Sequence, residues 1–285
     1  MRILFSLAAM LATLLLLPQL ASAEGVLDRI AKSGEIRLAY RDDAAPFSWM
    51  EKDAKEPQGY SVGLCQAVAK SVQAELKLAD LKITWVKVSP EDRFEAITGG
   101  KADLLCEATT VTLERRAMMD FSISTFISGA GMMILPGGPT GFDKLAGKKV
   151  GVLGGTTTEQ DLKTFLKGRD ITAEIVTVQS HSDGFAQLEA GKFDAYFADR
   201  TILQFMLMKN NQDGKFLLGD QFLSVEPYAL AMPRGDADFR LEVDRALSRL
   251  FRSGGAKNVF RSAFGEQAHP TGLQSSLFVL SGLPE

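Results

Sequence analysis

Two arginines stand at places in the chain where an anion could bind. Arg41 directly follows residues 35–40, whose apolar pattern predicts a β-strand. Arg93 lies in the first turn of a helix predicted over 90–98. Ligands of α/β proteins bind at the carboxyl ends of strands, so both side chains are candidates for an anion site. The spacing of Arg93 equally allows an ion pair with the acidic residues just before it.

Arg115 is a third candidate, because a cation is unfavourable at its predicted position. Thr112 is a predicted N-cap, which places Arg115 in the first turn of a helix, where the helix dipole disfavours positive charge. A bound anion would reverse that effect. A surface ion pair with Glu114 or Asp120 explains the same residue without a ligand, and the residues alone leave both interpretations open.

Polar residues also follow the strands predicted later in the chain. Thr156 and Thr157 come after two glycines and open a helix predicted over 157–167, where backbone N–H groups could bind an anion or the threonines could act only as caps. Asp199 ends a strand and could balance a ligand ammonium or cap the next helix. His181 lies at a predicted helix start, where a capping or surface role is the alternative.

Composition excludes several classes of protein. The 285 residues are 46% hydrophobic with a net charge of −3 and no long basic run, which argues against a disordered chain or a nucleic-acid binder. The two cysteines and two histidines are not spaced as metal ligands. We therefore expect no metal site and no cofactor.

Residues 1–23 have the order of a secretory signal peptide. A positive start is followed by an apolar run and then by the small residues Ala21, Ser22 and Ala23. An N-terminal membrane helix is the alternative, although the run is short for one. Export would place Cys65 and Cys106 in an oxidising compartment, where they could form a disulfide or stay as buried thiols. A disulfide closing a loop of about 40 residues would stabilise the fold by about 4 kcal/mol in the loop-entropy model.

The elements that must position these residues alternate between strand and helix. We predict strands over 35–40, 81–88, 102–106, 148–153, 174–178 and 194–197, and helices over 61–78, 90–98, 157–167, 183–190, 200–209, 236–252 and 256–264. This alternation predicts an α/β fold with largely parallel sheets.

The alternation occurs twice, with an irregular stretch at 122–133 between the halves and another at 224–233. This arrangement predicts two lobes joined by two crossing segments, although spacing alone also allows one continuous sheet. The tail after His269 shows no clear periodicity, so we predict an extended appendage.

Taken in order, several motifs resemble those of the periplasmic polar-amino-acid-binding proteins of ABC importers, the family 3 extracellular solute-binding proteins. The motifs are QGYSVGLC at 58–65, DLLCEATT at 103–110, ERR at 114–116, MDFS at 119–122, GTT at 155–157 and FAD at 197–199. The resemblance covers about 25–264 and implies a two-lobed, type II periplasmic-binding-protein fold. It implies a signal peptide at 1–23, a first lobe at 24–125 and 228–267, a second lobe at 126–227, hinges at 124–131 and 224–228, and an extension at 268–285.

The resemblance also implies a role for each candidate residue. Arg115 would bind the ligand α-carboxylate, helped by the Thr110 amide and the Thr156–Thr157 turn. Asp199 would bind the α-ammonium together with the Thr110 hydroxyl and the carbonyl of Ala108. The ligand side chain would meet Arg41, Arg93 and His181, which match the positions used by the glutamate/aspartate-binding branch.

This chain departs from the glutamate/aspartate-binding branch at two adjacent positions that could affect ligand selectivity. Glu107 and Ala108 stand where the branch usually has Gly-Ser. Ala108 loses a hydroxyl but keeps its carbonyl. Glu107 adds an acid that we place near the mouth of the cleft, where it could neutralise an arginine or tilt selectivity toward an amide or cationic ligand.

The resemblance implies a monomeric periplasmic receptor that hands glutamate or aspartate to a membrane permease and carries out no chemistry. Two alternatives stay open. A receptor for another polar amino acid, such as glutamine or asparagine, would use the same fold. So would an exported cyclohexadienyl dehydratase, for which Glu107 and His181 are the evident candidate acids. The sequence contains no other catalytic constellation and no kinase segment.

Overall fold

A computed structural model describes residues 24–210 and 214–285. The predicted signal peptide at 1–23 lies outside the described residues. No helix in the described part of the chain is long and apolar enough to cross a membrane. The fold is α/β and consists of two lobes, as predicted.

The first lobe contains a five-stranded sheet in the order β4-β1-β5-β14-β6. Its strands are β1 (Glu35–Tyr40), β4 (Lys82–Lys87), β5 (Leu104–Leu105), β6 (Asp120–Phe121) and β14 (Ala231–Met232), and the small hairpin β2 (Asp43–Ala44) and β3 (Ser48–Trp49) follows β1. Its helices are α1 (Val26–Ser33), α2 (Tyr60–Glu75), α3 (Arg93–Thr98), α4 (Leu113–Met118), α8 (Ala237–Arg252), α9 (Gly255–Phe264) and α10 (Gly272–Ser281).

The second lobe contains a sheet of the same size in the order β10-β9-β11-β8-β12. Its strands are β8 (Ala130–Ile134), β9 (Lys149–Leu153), β10 (Glu174–Val178), β11 (Ala195–Asp199) and β12 (Leu217–Leu218). Its helices are α5 (Thr157–Gly168), α6 (His181–Glu189) and α7 (Arg200–Asn210), with a short 3₁₀ turn at Phe142–Lys144.

Each sheet is mixed, so the prediction of largely parallel sheets is only half right. Two neighbouring pairs in each sheet are parallel. These are β4 with β1 and β1 with β5 in the first lobe, and β10 with β9 and β9 with β11 in the second. The other two pairs in each sheet are antiparallel. They involve β14 and β8, the strands by which the chain enters each lobe after crossing.

The chain crosses between the sheets twice, through β7 (Phe126–Ser128) and β13 (Glu226–Tyr228). The two crossing strands pair antiparallel, with Glu226 opposite Ser128 and Tyr228 opposite Phe126. Residues 109–111 of the first lobe run beside β13, because Val111 donates a backbone hydrogen bond to Pro227. The second crossing strand is therefore held against the first lobe next to the motif at 103–110.

The two cysteines form a disulfide, as the pairing hypothesis predicted. Cys65 lies on α2 and Cys106 directly follows β5, and both are fully buried. The bond joins residues 41 apart in the sequence. It fastens the main helix of the first lobe to the strand that leads into the motif at 103–110.

The C-terminal tail is helical, so the prediction of an extended appendage is wrong. Thr271 caps α10 by accepting a hydrogen bond from the backbone N–H of Gln274 at 3.2 Å, and Phe278 stacks on Phe251 of α8 with ring centroids 5.2 Å apart. Apolar residues stand on all sides of α10, which hides the helical period. Packing against α8 fixes the helix instead, and the Gln274 side chain bonds the backbone of Thr125 and Ile127 at the first crossing.

Candidate functional site

The structure brings the predicted ligand-binding residues together around a single cavity between the lobes. Nine predicted residues line it: Arg41, Arg93, Ala108, Thr110, Arg115, Thr156, Thr157, His181 and Asp199. The first five come from the first lobe and the last four from the second, so the cavity is assembled from strand ends and helix starts on both sides.

Arg115 is buried at this cavity and is not the surface ion pair that spacing allowed. Thr112 caps α4 and accepts the backbone N–H of Arg115 at 3.1 Å, as predicted. Nη1 of Arg115 donates to the carbonyl of Thr110 at 2.8 Å. Asp120 instead accepts from the backbone N–H of Gly235. Burial disfavours the charged form of Arg115 and so lowers its pKa. A nearby anion would favour the charged form again.

Arg41 and Arg93 are both buried and approach the cavity from the first lobe. Arg41 donates from Nε and Nη2 to one oxygen of Asp43, at 3.0 and 2.6 Å. Arg93 donates from Nη1 to the carbonyl of Pro90 at 2.8 Å and from Nη2 to the carbonyl of Gly155 in the other lobe at 3.1 Å. Burial lowers the pKa of Arg93 to about 10, so the guanidinium stays charged at neutral pH.

Glu107 lies beneath these arginines and not near the mouth of the cleft, which corrects the predicted position. Its side chain is fully buried, 3.7 Å from Nη1 of Arg41 and 3.5 Å from Nε of Arg93. The Thr109 hydroxyl donates to the same oxygen that faces Arg93. Glu107 follows the disulfide-bonded Cys106 directly.

His181 is the first residue of α6 and is buried, so the surface alternative is wrong. Its Nδ1 lies 2.9 Å from the Tyr196 hydroxyl, and its backbone N–H donates to Asp43 across the cleft at 2.9 Å. Burial, followed by the charge of Arg41, lowers the pKa of His181 to about 4. The imidazole is therefore neutral at physiological pH.

Asp199 ends β11 and is the carboxylate of the second lobe at the cavity. It accepts from the Tyr228 hydroxyl at 2.5 Å and from the Thr158 hydroxyl at 3.4 Å. Burial, followed by repulsion from Glu226, raises the pKa of Asp199 to about 7. An ammonium group placed beside this carboxylate would offset both effects.

The threonines contribute in two different ways. Thr156 caps α5 by accepting from the backbone N–H of Glu159 at 3.2 Å, as the capping-box spacing predicted. Glu159 accepts in return from the backbone N–H of Gly155, one residue earlier than the motif requires. Thr157 reaches toward the other lobe, with its hydroxyl 3.3 Å from the hydroxyl of Thr110.

Glu226 on β13 is the main residue that sequence reasoning missed. It is buried and accepts from the hydroxyls of Thr110 at 2.5 Å, Thr157 at 2.9 Å and Ser224 at 2.6 Å. One carboxylate thus joins both lobes at the crossing. The available signal was a lone acid in the otherwise uncharged crossing segment at 224–232.

Neither candidate acid of the enzyme alternative suits general acid catalysis. Glu107 does not line the cavity, and the imidazole of His181 carries no acidic proton at physiological pH because its pKa is about 4. Within residues 24–210 and 214–285, no group of three or more His, Cys, Asp or Glu side chains comes close enough to hold a metal ion.

The chain is similar to a family of bacterial binding proteins and to two amino-acid-binding members of known ligand. Residues 36–266 match the family model for bacterial extracellular solute-binding proteins, family 3. The L-glutamate/L-aspartate-binding protein of Pseudomonas aeruginosa is 31% identical over 267 residues, which is 93% of this chain and 88% of that protein. The glutamate/aspartate import solute-binding protein of Escherichia coli K12 is 28% identical over 253 residues, 88% of this chain and 83% of that protein.

A solved structure shares the fold. The ancestral amino acid-binding protein AncCDT-1, a precursor of cyclohexadienyl dehydratase, superposes with a TM-score of 0.73 at 26% identity, over 84% of this chain and 99% of that one. The two relatives above are binding proteins and not enzymes. With the family model matching most of its length, the chain belongs to the bacterial extracellular solute-binding proteins of family 3.

Proposed function

We propose that this protein is a periplasmic receptor that binds glutamate or aspartate and delivers it to the permease of an ABC importer. The observation that carries the proposal is the pair of opposite charges at the cavity: Arg115 from the first lobe and Asp199 from the second. An α-amino acid presents a carboxylate and an ammonium at a fixed separation. A cation and an anion on opposite lobes suit that zwitterion, and a planar guanidinium suits its carboxylate.

The identity of the ligand side chain follows from the residues assigned to it, which we call the side-chain end of the cavity. These residues are Arg41, Arg93 and the neutral His181, all of which line the cavity, and N–H donors favour a side chain that carries acceptor oxygens. The relatives from Pseudomonas aeruginosa and Escherichia coli bind glutamate and aspartate by name, and their similarity to most of this chain supports the same ligands here. We further propose that the protein is a monomer and that a leader at 1–23 is cleaved. We also propose that the two lobes have the bounds predicted from the sequence.

A thermal-shift panel on ligand-stripped protein tests the proposal. A ligand at 100 times its Kd stabilises the native state by about 2.7 kcal/mol. We expect glutamate and aspartate to raise the melting temperature at concentrations where lysine and leucine do not, because a cationic or apolar side chain gives Arg41 and Arg93 no acceptor. A melting temperature that responds to lysine but not to the dicarboxylates would contradict the proposed ligand class.

Closure of the lobes gives a second test. Arg93 of the first lobe donates to Gly155 of the second, and Asp43 accepts from the backbone of His181, so contacts cross the cleft at two places. A ligand that contacts both lobes favours the closed state by the contacts it makes only there. We expect saturating glutamate to reduce the radius of gyration in small-angle scattering. An unchanged radius with binding confirmed by calorimetry would exclude a hinge at β7 and β13.

A further inference from the structure

The side-chain end of the cavity contains a buried acid that neither touches the cavity nor caps a helix. Glu107 is fully buried and does not line the cavity. It lies behind Arg41 and Arg93, at 3.7 and 3.5 Å from their nearest nitrogens. Oε2 of Glu107 and Nε of Arg93 are buried atoms with no hydrogen-bond partner among the described residues. The contact between Glu107 and the arginines is therefore mainly one of charge.

Glu107 and Asp43 balance the charges of the two arginines. Arg41 and Arg93 contribute two positive charges, while Asp43, bonded to Arg41, and Glu107 contribute two negative ones. His181 is neutral at physiological pH, since its pKa is about 4. The other charged groups nearby, Arg115, Asp199 and Glu226, add one positive charge and two negative ones, and the charge of Glu107 acts on Arg115 as well as on Arg93. Arg41, Arg93, Asp43 and Glu107 together thus provide hydrogen-bond donors but no net charge.

We propose that Glu107 sets the ligand range of the receptor, so that the neutral amide side chains of glutamine and asparagine bind about as well as the carboxylates of glutamate and aspartate. This inference rests on the proposed function. Two uncompensated arginines in a buried site would demand an anion, because like charges repel strongly at low effective dielectric. Glu107 and Asp43 already supply that compensation. An amide oxygen then satisfies the guanidinium N–H groups without adding charge. A ligand carboxylate makes stronger, charge-assisted hydrogen bonds to them, but it adds a negative charge close to Glu107 that offsets this gain.

Because Glu107 acts through Arg41 and Arg93, the informative quantity is the ratio of the Kd for glutamine to the Kd for glutamate. We would measure Kd for glutamate and for glutamine by calorimetry on the wild-type protein and on Glu107→Gln. The amide variant keeps the size of the side chain and removes its charge. Glu91→Gln, an exposed acid in the loop before α3, is the matched control. A structural fault would weaken both ligands alike and leave the ratio unchanged.

In the wild-type protein we expect Kd values for the two ligands within about tenfold of each other. In Glu107→Gln the side-chain end carries a net positive charge. The Kd for glutamine divided by the Kd for glutamate should therefore rise by about tenfold or more. Glu91→Gln should keep the wild-type ratio.

Three results would overturn the inference. One is a wild-type preference for glutamate of more than about a hundredfold, which needs no variant and decides the matter even if Glu107→Gln fails to fold. Another is a folded Glu107→Gln with the wild-type ratio, while wild type binds glutamate; this result leaves the proposed function intact. Wild-type protein that binds neither ligand would remove the proposed function and the inference together.

Discussion

Replacing Arg115 with alanine is expected to weaken binding of every amino-acid ligand by about 2–5 kcal/mol, the cost of breaking a buried charge pair on one side. The loss should be general because Arg115 is assigned to the α-carboxylate, which all of these ligands carry. Titration calorimetry with glutamate and glutamine measures it. The matched control is Arg116→Ala, because Arg116 is the next residue on α4 and is exposed.

The result distinguishes a ligand contact from a structural role. Nη1 of Arg115 also donates to the carbonyl of Thr110, so the variant must be checked for native unfolding behaviour before its affinity is interpreted. Arg115→Lys keeps the charge but loses the planar fork, and we expect an affinity between those of wild type and Arg115→Ala. Near-wild-type affinity in a folded Arg115→Ala would remove Arg115 from the site.

Much of the cavity could be predicted from the sequence, because its residues stand where strands end and helices begin. Arg41, Arg93 and Asp199 each stand at such a place, and the carboxyl ends of parallel strands meet at one edge of a sheet. The caps at Thr112 and Thr156 are local interactions between residues three apart, so spacing alone reveals them. The same reasoning located most long helices to within a few residues.

What escaped prediction depends on contacts between distant parts of the chain. Glu226 bonds to Thr110, 116 residues away, and only the antiparallel pairing of β13 with β7 brings it there. The position of Glu107 depends on which way its side chain turns after Cys106. The helix α10 forms on the surface of α8, since its own pattern of apolar residues has no single face. Local spacing contains none of this information.

Asp199 provides the second large expected effect, a loss of affinity as the pH falls below neutral. The carboxylate must be ionised to pair with an ammonium, and burial next to Glu226 raises the pKa of Asp199 to about 7. A bound ammonium favours the ionised form, so the complex holds fewer protons than the free receptor. Affinity should therefore be nearly full at pH 8, reach about half of that value at pH 7 and fall by about tenfold between pH 8 and pH 6. His181 does not titrate in this range, because its pKa is about 4.

Calorimetry at pH 7 in buffers of different ionisation enthalpy should show release of about half a proton per ligand bound. Asp199→Asn removes the titrating group: we expect affinity to fall by about 2–5 kcal/mol at pH 8 and to become independent of pH between 6 and 8. Asp53→Asn, which changes an exposed acid of the first lobe, should keep the wild-type affinity and pH dependence. If Asp199→Asn retains the wild-type slope, another group accepts the ligand ammonium. Glu226, the nearest buried acid in the hydrogen-bond network around Thr110 and Thr157, would then be the residue to replace.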